Sequence, residues 1–480
     1  MMKWRMMIGV LIASAGMLMG CSDDESFSTS PDHLLSFSMD TVRMDTVFST
    51  VPSSTRSLWA YNRSGDGIRC SQVRLERGNQ SGFRVNVNGT YLGQDNGYQT
   101  SGLEIRKKDS IRIFVEVTTP RSGQVAPQAV SDNIVFSLES GKEQKINLLA
   151  YTWDAQKIEG WQVTRDTTLQ SHRPIVIYQG ITVPEGVTLT IGAGTTLYFH
   201  SGAGMDVYGT LVCKGRADSN VVLRGDRLDR MFDDLPYDRV SGQWNGIHIH
   251  AGSLGNHLSY TDLHGAFSGI TVDSMDVSAS APALQIEAST VHNCQGYGLA
   301  SHHAVVNLRN SVFSNTLNDC VWINGGQATI NHCTLAQFYP FDSERGAAIR
   351  FSNQSSPLVL SCRNSLITGY ADDELMGENG TDALSMEYTF DHCVIRTPAI
   401  TSEDSIHFPH VIYENVKDTV NGGKKQFLRV DENHLVYDFR LKGNSVAINA
   451  ADASTALPTD RDGLRRDDKP DIGAYEYKEK

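Results

Sequence analysis

The 480-residue sequence has few helix-forming runs, little positive charge and no CxxC motif. Lys and Arg together number 42 against 55 Asp and Glu, and the net charge of −13 argues against nucleic acid as a partner. One apolar run lies at the N-terminus, and no later run is long enough to span a bilayer. Apart from Cys21, the cysteines mostly occupy apolar positions of alternating segments. This predicts buried core thiols, although a compartment outside the cytoplasm would also permit disulfides.

What the sequence does contain is a repeat, between about Gly255 and Arg396. Six small residues, 22 to 32 residues apart, are each followed two places later by a large apolar residue. Apolar and polar residues alternate around them, as in half-buried strands. The residue just before each is mostly Asn or His, which tolerate the left-handed backbone of a corner. The small residues are Thr261, Ser289, Ser311, Cys333, Ser365 and Cys393, and their predecessors are Tyr260, Ala288, Asn310, His332, Asn364 and His392.

Units of this length cannot bury an apolar face alone, so they must stack on one another. We therefore predict an all-β fold whose main part is a solenoid of parallel strands, with one coil per unit. The variable coil lengths would then be loops that leave the stack. The alternative is an ordinary β-sandwich in which the alternation is accidental.

A second ladder in the repeat predicts a surface for binding. If Ile270, Leu299, Val321 and Ile349 point into the core, the residues that follow them point outward: Thr271, Ala300, Trp322 and Arg350. Neighbouring coils lie about 4.8 Å apart, which would set Trp322 beside Arg350 on an exposed sheet. An aromatic ring next to a guanidinium suits a sugar ring or an acidic glycan. The alternative is that a side segment such as Gln337–Arg345 covers Trp322.

The N-terminus has the pattern of a secretory signal peptide over residues 1–20, because Lys3 and Arg5 precede a short apolar run. The run ends in Leu18-Met19-Gly20-Cys21, which resembles a bacterial lipobox and implies lipidation of Cys21 with cleavage before it. Ser22–Glu25, within an acidic tether of residues 21–33, is similar to the tag that sends Bacteroidetes lipoproteins to the outer face of the outer membrane. The alternatives are a plain signal with a chance cysteine and a linker without a sorting role.

Residues 34–150 alternate in short strands separated by Gly, Asn and Asp clusters, which predicts a β-sandwich. The segments Leu58–Asn62, Phe83–Gly89 and Ile111–Val117 resemble an Ig-like module of the Hydin type. In bacterial surface proteins such modules serve as spacers or docking units, so the resemblance implies a fold and no activity. The expected strands are Thr55–Asn62, Gln72–Leu75, Phe83–Val87, Ser110–Thr118, Asn133–Leu138 and Glu143–Ala150.

Residues 160–400 resemble right-handed parallel β-helix proteins of Bacteroidetes, which have the pectin lyase-like fold. The resemblance rests on the Gly-opened alternation from Val187 to Phe199 and on Gly242–Ile247. Asp438–Asn449 and Asp471–Tyr477 are similar to the ending shared by many secreted bacterial β-helix proteins. Residues 401–480 are therefore expected to cap the open end of the last coil, with Asp460–Gly463 as a structural turn. The family includes lyases, hydrolases and adhesins, so it implies no single activity.

The sequence offers little for catalysis. Polysaccharide lyases of this fold use a Lys or Arg base, but no lysine occurs between Lys214 and Lys417, and a guanidinium is a poor base. A hydrolase needs clustered carboxylates, and the one acidic run in the coils, Asp372–Glu374, is expected to be a solvated loop. We therefore assign no catalytic residue, and a polysaccharide lyase or glycoside hydrolase is the rival of a binding function.

Metal binding is considered at two places. His248 and His250 face one side of a strand and could gather with His257 and His264, but no carboxylate or thiol stands at a recognisable ligand spacing. The loop Asp226–Val240 carries carboxylates that suit Ca²⁺, interleaved with arginines that favour pairing within the loop. No metal ligand or other cofactor is therefore assigned, and Ca²⁺ in the loop is the alternative.

Together these features predict a surface-exposed lipoprotein of the outer membrane, held there by its lipid. It would present a β-helix for binding to glycan or to another envelope or host component, with Trp322 and Arg350 as the candidate binding residues. Besides the enzymatic rival, the alternative is a structural subunit of an outer-membrane assembly.

Overall fold

The computed structural model describes residues 26–232, 234–380, 384–418, 420 and 422–479. The predicted signal peptide, the lipidation site Cys21 and the acidic stretch Ser22–Glu25 lie outside the described residues. The chain divides into two compact units, one ending at Trp153 and the other beginning at Asp154. No helix in the described part of the chain has the length and hydrophobicity needed to cross a bilayer.

The first unit is a sandwich of two five-stranded sheets. Its strands are β1 Leu35–Phe37, β2 Thr41–Phe48, β3 Arg56–Asn62, β4 Ile68–Leu75, β5 Phe83–Val87, β6 Thr90–Tyr91, β7 Gln99–Ile105, β8 Ser110–Val117, β9 Gln128–Leu138 and β10 Glu143–Trp153. The sheet orders are β1-β3-β8-β5-β6 and β2-β10-β9-β4-β7. The alternating apolar residues of both sheets form one buried core, as Phe83, Val85 and Val87 show. All six expected strands are present, with β4, β9 and β10 longer than expected.

The described part of the expected tether contacts this sandwich. Phe27 forms a parallel bridge with Gly67, and the guanidinium of Arg69 lies 4.5 Å from the centroid of the Phe27 ring. The Ser26 hydroxyl also donates to Asp66 over 2.7 Å. These residues are therefore docked rather than extended into solvent as a free linker.

The second unit is a right-handed parallel β-helix, which confirms the fold predicted from the repeat. One 25-stranded sheet winds around its axis. The strands that follow the sandwich are β11 Gln156–Gln162, β12 Thr167–Leu169, β13 Ile175–Val183, β14 Thr188–Gly192, β15 Thr196–Phe199, β16 Met205–Val207, β17 Thr210–Lys214, β18 Val221–Gly225, β19 Arg230–Phe232, β20 Leu235–Pro236, β21 Ile247–Ile249, β22 Asn256–Ser259, β23 Thr261–His264, β24 Ile270–Val272, β25 Leu284–Glu287, β26 Thr290–Cys294, β27 Leu299–Arg309, β28 Val312–Thr316, β29 Val321–Asn331, β30 Thr334–Gln337, β31 Ile349–Ser352, β32 Leu358–Arg363, β33 Leu366–Gly369, β34 Leu375–Glu378, β35 Met386–Asp391, β36 Val394–Ile395, β37 Ile412–Tyr413, β38 Phe427–Asp431 and β39 Val436–Leu441.

The strands of the solenoid form three faces. Face A runs β13-β16-β21-β24-β27-β29-β31-β34, face B runs β12-β14-β17-β22-β25-β27-β29-β32-β35, and face C runs β13-β15-β18-β23-β26-β28-β30-β33-β36-β37. The long strands β27 and β29 each bend from face A to face B, and β29 does so at Gly325 and Gly326, both with positive φ. A Cβ on Gly326 would lie 2.3 Å from the carbonyl oxygen of Ala304 in the preceding coil, so only glycine fits this corner.

The repeat columns are confirmed residue by residue. The six small residues from Thr261 to Cys393 are all at most 1% exposed. Each of their six predecessors has a positive φ, between 43° and 52°, so every one forms the predicted left-handed corner. Tyr260 and Ala288 adopt this conformation as well, although neither is a residue type that favours it. Stacking of the coils therefore overrides the local preference at those two positions.

The seven described cysteines are buried and none is in a disulfide, as the prediction of core thiols requires: Cys70, Cys213, Cys294, Cys320, Cys333, Cys362 and Cys393. The Sγ atoms of Cys362 and Cys393 lie 3.9 Å apart in successive coils. Burial raises the pKa of Cys213 to about 12, which makes its thiol a weak nucleophile at neutral pH.

Residues after the last coils complete the solenoid in two ways. Phe408 stacks on Phe390 with ring centroids 5.3 Å apart and closes the apolar end of the stack. From Ser445 to Tyr477, a segment that we call the strap, the chain runs back along the corner between faces B and C. The backbone N–H of Asp452 donates to Asn364, and Asn310 donates to the carbonyl of Thr459. The C-terminal cap therefore braces the flank of several coils as well as the end.

The Asp460–Gly463 segment of the strap is a structural turn, as expected. Asp460 Oδ1 accepts the backbone N–H groups of Asp462 and Leu464 at 2.9 and 2.8 Å. Its Oδ2 accepts the N–H of Glu476 at 3.0 Å. The carboxylate is 1% exposed, so backbone donors rather than solvent satisfy it.

Candidate functional site

An outward-facing column of side chains runs along face A. The register places its members above one another in successive coils, about 4.8 Å apart: Asp206, His248, Thr271, Ala300, Trp322, Arg350 and Met376. The neighbours of Trp322 in β29, Val321 and Ile323, are fully buried. The column is therefore the outer side of the sheet, and most of its members are partly exposed.

Trp322 and Arg350 are cross-strand partners in this column. The Trp322 ring is half-buried and stacks on Tyr297 with centroids 5.2 Å apart, while the edge of His302 contacts it at 4.9 Å. The segment Gln337–Arg345, which was the alternative cover for Trp322, makes contacts elsewhere. Its Tyr339 hydroxyl lies 3.2 Å from Ser241, and its Arg345 lies over the ring of Tyr370.

Arg350 is held between two carboxylates. Its Nε donates to Asp319 Oδ2 at 2.9 Å, and its Nη1 donates to Glu378 Oε1. Burial lowers the pKa of Arg350, but the hydrogen bonds and charges of Asp319 and Glu378 together outweigh this, and the net shift is upward. The guanidinium is therefore permanently charged and cannot serve as a base. One cation and two anions make the local charge negative rather than positive.

The other end of the column carries two histidines between two aspartates. Asp206 Oδ1 lies 2.9 Å from His250 Nε2, and Asp273 Oδ1 lies 2.9 Å from His248 Nε2. The rings of His248 and His250 are 3.9 Å apart, and Tyr208 stacks on His250 at 4.0 Å. Asp206 and Asp273 come from the preceding and the following coil.

The four histidines that could have gathered around a metal do not do so. His248 and His250 lie together on face A, whereas His257 belongs to β22 on face B and is 3.8 Å from Glu287. His264 lies on face C. His250, His257 and His264 follow one another at intervals of seven residues but lie on three different faces, because the coil turns a corner after β21 and another after β22.

His264 belongs to a different, buried cluster. Its Nδ1 lies 2.7 Å from Asp262 and its Nε2 lies 2.8 Å from Asp238, and Asp262 is also 3.2 Å from His292. Burial alone would lower the pKa of His264, but the charges of Asp262 and Asp238 raise it to about 9. The imidazole is therefore positively charged at neutral pH and belongs to an ion-pair network.

Three carboxylates of the loop Asp226–Val240 contact basic side chains, one of them within the loop. Asp229 lies 2.6 Å from Arg227, and Asp238 lies 2.7 Å from Arg224. Asp226 lies 2.7 Å from His200. These three carboxylates therefore have side-chain partners already, and a bound cation would have to displace them.

The acidic run Asp372–Glu374 is not uniformly solvated. Asp372 and Asp373 are exposed, but Glu374 is fully buried and accepts the backbone N–H groups of Ala371 and Ala348 at 2.8 and 3.0 Å. Burial raises the pKa of Glu374 to about 8. Expecting a solvated loop was therefore wrong for Glu374, which links two coils from inside.

Sequence reasoning missed Tyr297, Asp319, Asp206 and Asp273. The ladder that starts at Ile270 contained the signal for Asp206. Extended two coils back, it pairs Ile247 with Met205, and this register sets Asp206 beside His248. Tyr297 and Asp319 lie outside the strands, so alternation alone could not place them.

No protein-family model matches the sequence, and no curated protein matches it either. Among solved structures the chain is similar to pectate lyase Pel9A, with 12% identity and a TM-score of 0.35 over 68% of this chain and 97% of that one. It is also similar to a family 123 glycoside hydrolase from Clostridium perfringens, whose structure concerns glycolipid glycan hydrolysis, with 11% identity and a TM-score of 0.18 over 26% of each chain. These likenesses concern the fold, and neither decides what this chain does.

Proposed function

We propose that the protein binds glycan through face A, with Trp322 and Tyr297 as the aromatic platform. The single observation that supports this most is the pairing of Trp322 with Arg350 on the outer side of the sheet. The apolar faces of sugar rings stack on aromatic side chains, and their hydroxyls need charged or polar partners beside the ring. Arg350, one coil away, and Glu378, two coils away, provide such partners.

The charge at the platform favours a neutral glycan. Arg350 already has two carboxylate partners, so an acidic sugar would meet a net negative patch on a chain whose overall charge is −13. A neutral sugar can accept hydrogen bonds from the guanidinium and donate to the partly exposed carboxylate of Glu378. Because coils repeat about every 4.8 Å, an extended glycan along the axis could contact several of them.

Attachment to the outer membrane belongs to the same proposal. The lipobox-like Leu18–Cys21 and the acidic Ser22–Glu25 support a lipid anchor on the outer surface, where polysaccharides are accessible. Mass spectrometry of the N-terminal peptide from membranes would detect the lipid on Cys21. An unmodified Cys21 would remove the anchor and leave the binding proposal to stand on face A alone.

The enzymatic rival has weaker support. Arg350 is the cation on the platform, and its raised pKa makes it unsuitable for proton abstraction. Lysine, the other base used by lyases of this fold, is absent between Lys214 and Lys417. Binding without turnover is therefore the function that we propose.

The test is affinity electrophoresis of the full-length chain in gels that contain neutral or acidic polysaccharides. We expect retardation by at least one neutral polysaccharide, and a loss of roughly tenfold in affinity for Trp322→Ala, equivalent to about 1.4 kcal/mol of stacking. Trp59→Ala is the matched control, because Trp59 is an exposed tryptophan of the sandwich.

Incubation of the chain with the same polysaccharides in solution distinguishes binding from the enzymatic alternatives. New unsaturated ends would identify a lyase, and new reducing ends would identify a hydrolase; either result would replace the binding proposal. Equal retardation of the Trp322→Ala variant would remove the platform. If no polysaccharide retards the wild-type chain, the alternative that the protein is a structural subunit of an outer-membrane assembly is better supported.

A further inference from the structure

We infer that Asp206, His248 and His250 form a binding site on face A for a divalent first-row transition metal such as Zn²⁺. One ligand atom from each of the three side chains lies within 4.8 Å of the other two. Imidazole nitrogen and carboxylate oxygen are the donors that Zn²⁺ accepts, at about 2.0–2.2 Å. Small side-chain rotations would therefore bring all three onto one ion.

The backbone fixes the three residues in place. His248 belongs to β21 and His250 directly follows this strand. Because alternate residues of a strand point to the same side, both rings lie on the outer side of the sheet. Asp206 is the partner of His248 in the preceding coil. The histidines are 41% and 18% exposed and Asp206 is 55% exposed at their side chains, so an ion can enter from solvent.

Asp273 completes the site from the next coil. Its two carboxylate oxygens lie 2.9 Å from His248 Nε2 and 3.5 Å from His250 Nδ1, while His250 Nε2 points to Asp206. A carboxylate on the far nitrogen of a metal-binding histidine fixes its tautomer and its orientation. Tyr208, stacked on His250, restricts the same ring. Asp206 and Asp273 thus have different roles, as ligand and as positioning residue.

Two other His–Asp clusters have features that argue against a metal. Asp262, His264 and His292 lie next to Arg224, which pairs with Asp238, and the buried His264 holds a proton between two carboxylates. In the cluster of Asp391, His392 and His410, the side chain of His410 is 68% exposed. Its Nδ1 contacts Asp391, but its Nε2 has no carboxylate partner among the described residues. In the described ion pairs, Asp206 and Asp273 meet only the two histidines.

The metal site does not rest on glycan binding. Three coils separate His248 from Trp322 along the column, a distance of roughly 14 Å at about 4.8 Å per coil. Metal binding can therefore be measured without any polysaccharide, and the Trp322→Ala variant should retain it fully. The metal titration can therefore fail while glycan binding is found, and the reverse is equally possible.

The test is calorimetric titration of the untagged, metal-free full-length chain with Zn²⁺. A parallel titration with Co²⁺ uses its visible absorption to report imidazole ligation. We expect His248→Ala and Asp206→Asn each to weaken Zn²⁺ binding at least about 100-fold, and Asp273→Asn to weaken it about 10-fold. The matched controls are His257→Ala on face B and His410→Ala in the third cluster.

If His248→Ala folds poorly, the Asp206→Asn variant decides the test. Asp206 is exposed and Asn has nearly the same shape as Asp, so this variant should fold like the wild type. The site is wrong if the wild-type chain does not bind Zn²⁺. It is also wrong if Asp206→Asn binds as the wild type does, or if His410→Ala loses affinity to the same extent as His248→Ala.

Discussion

His264 Nε2 lies 2.8 Å from the carboxylate of Asp238, which precedes it by 26 residues and belongs to the loop before β21. The contact fastens this loop to face C, because His264 is also held by Asp262 within its own strand. The His264 side chain is 9% exposed and that of Asp238 is 42% exposed, so solvent reaches the carboxylate of this pair but hardly the imidazole.

The first prediction is that stability falls in alkaline solution because of His264. Its pKa is about 9 in the folded chain against an ordinary value of 6.5. A raised histidine pKa contributes stability that is fully present below the ordinary value and is lost as the pH rises through the folded one. We expect the loss to reach about 2–3 kcal/mol between pH 6.5 and 9.

Thermal denaturation across this range measures the effect in the wild type and in His264→Gln. The variant should be less stable at neutral pH, because it removes the charged imidazole that lies between Asp238 and Asp262, and its stability should change less between pH 6.5 and 9. His257→Gln, on face B, is the control and should keep the wild-type slope. An equal slope in His264→Gln would show that another group titrates.

Much of the solenoid could be predicted because its periodicity is local. Alternation at each small anchor residue identifies a strand, and the Asn/His column identifies a corner, which is why the six left-handed residues were found. The pairing of Trp322 with Arg350 followed from the same columns. Side-chain direction in a strand depends only on its own period, so no long-range information was needed.

The partners of these residues could not be predicted in the same way. Asp206 and His250 are 44 residues apart, and Arg350 and Asp319 are 31 apart, with loops of different length between them. Because the loops differ in length, the sequence does not show which residue of one coil pairs with which residue of the next. That pairing is seen only in the structure, where the coils stack. The strap could not be placed either, since its contacts with Asn310 and Asn364 span 149 and 88 residues.

The second prediction concerns Arg350 as a structural residue. Asp319 is only 4% exposed at its side chain, so removal of the guanidinium leaves a nearly buried carboxylate without its cation. We expect Arg350→Met to lower the free energy of unfolding by about 1–3 kcal/mol, measured by denaturant unfolding. Arg363→Met, an exposed arginine of face B, should change it by less than about 0.5 kcal/mol. Similar losses in both variants would contradict the role of Asp319.

The third prediction concerns the buried Glu374. Its two oxygens each accept a backbone N–H, so Gln at this position would turn its NH₂ group toward one of those donors. Because the pKa of Glu374 is raised to about 8, its carboxyl is protonated when folded at mildly acidic pH, and ionisation weakens the fold as the pH rises from 4.5 to 8. We expect Glu374→Gln to cost about 1–3 kcal/mol near pH 5 and less near pH 8.

Thermal midpoints at the two pH values measure this difference. Asp372→Asn is the control, because Asp372 is 80% exposed at its side chain and should tolerate the change at both pH values. A Glu374→Gln variant that is as stable as the wild type near pH 5 would show that the backbone donors of Ala348 and Ala371 find other acceptors.

The fourth prediction concerns how the strap is fastened. Arg466 is 1% exposed at its side chain, and its Nη1 donates to Glu476 at 2.9 Å. Its Nη2 donates to Asn310 in the solenoid at 3.1 Å and to the carbonyl of Gly473 at 2.9 Å. One guanidinium therefore links two parts of the strap, Arg466 itself and the segment with Gly473 and Glu476, to the corner residue Asn310 of the coils.

Because removal of one partner leaves buried acceptors and a buried carboxylate unpaired, Arg466→Met should destabilise the strap by about 3–5 kcal/mol. The coils have their own core, so we expect local release: faster amide hydrogen exchange from Ser445 to Tyr477, with exchange in β24 and β26 unchanged. Arg465→Met, at the exposed neighbouring position, should leave exchange as in the wild type. Uniformly faster exchange across the solenoid would instead mean that the strap is required for the coils to stay stacked.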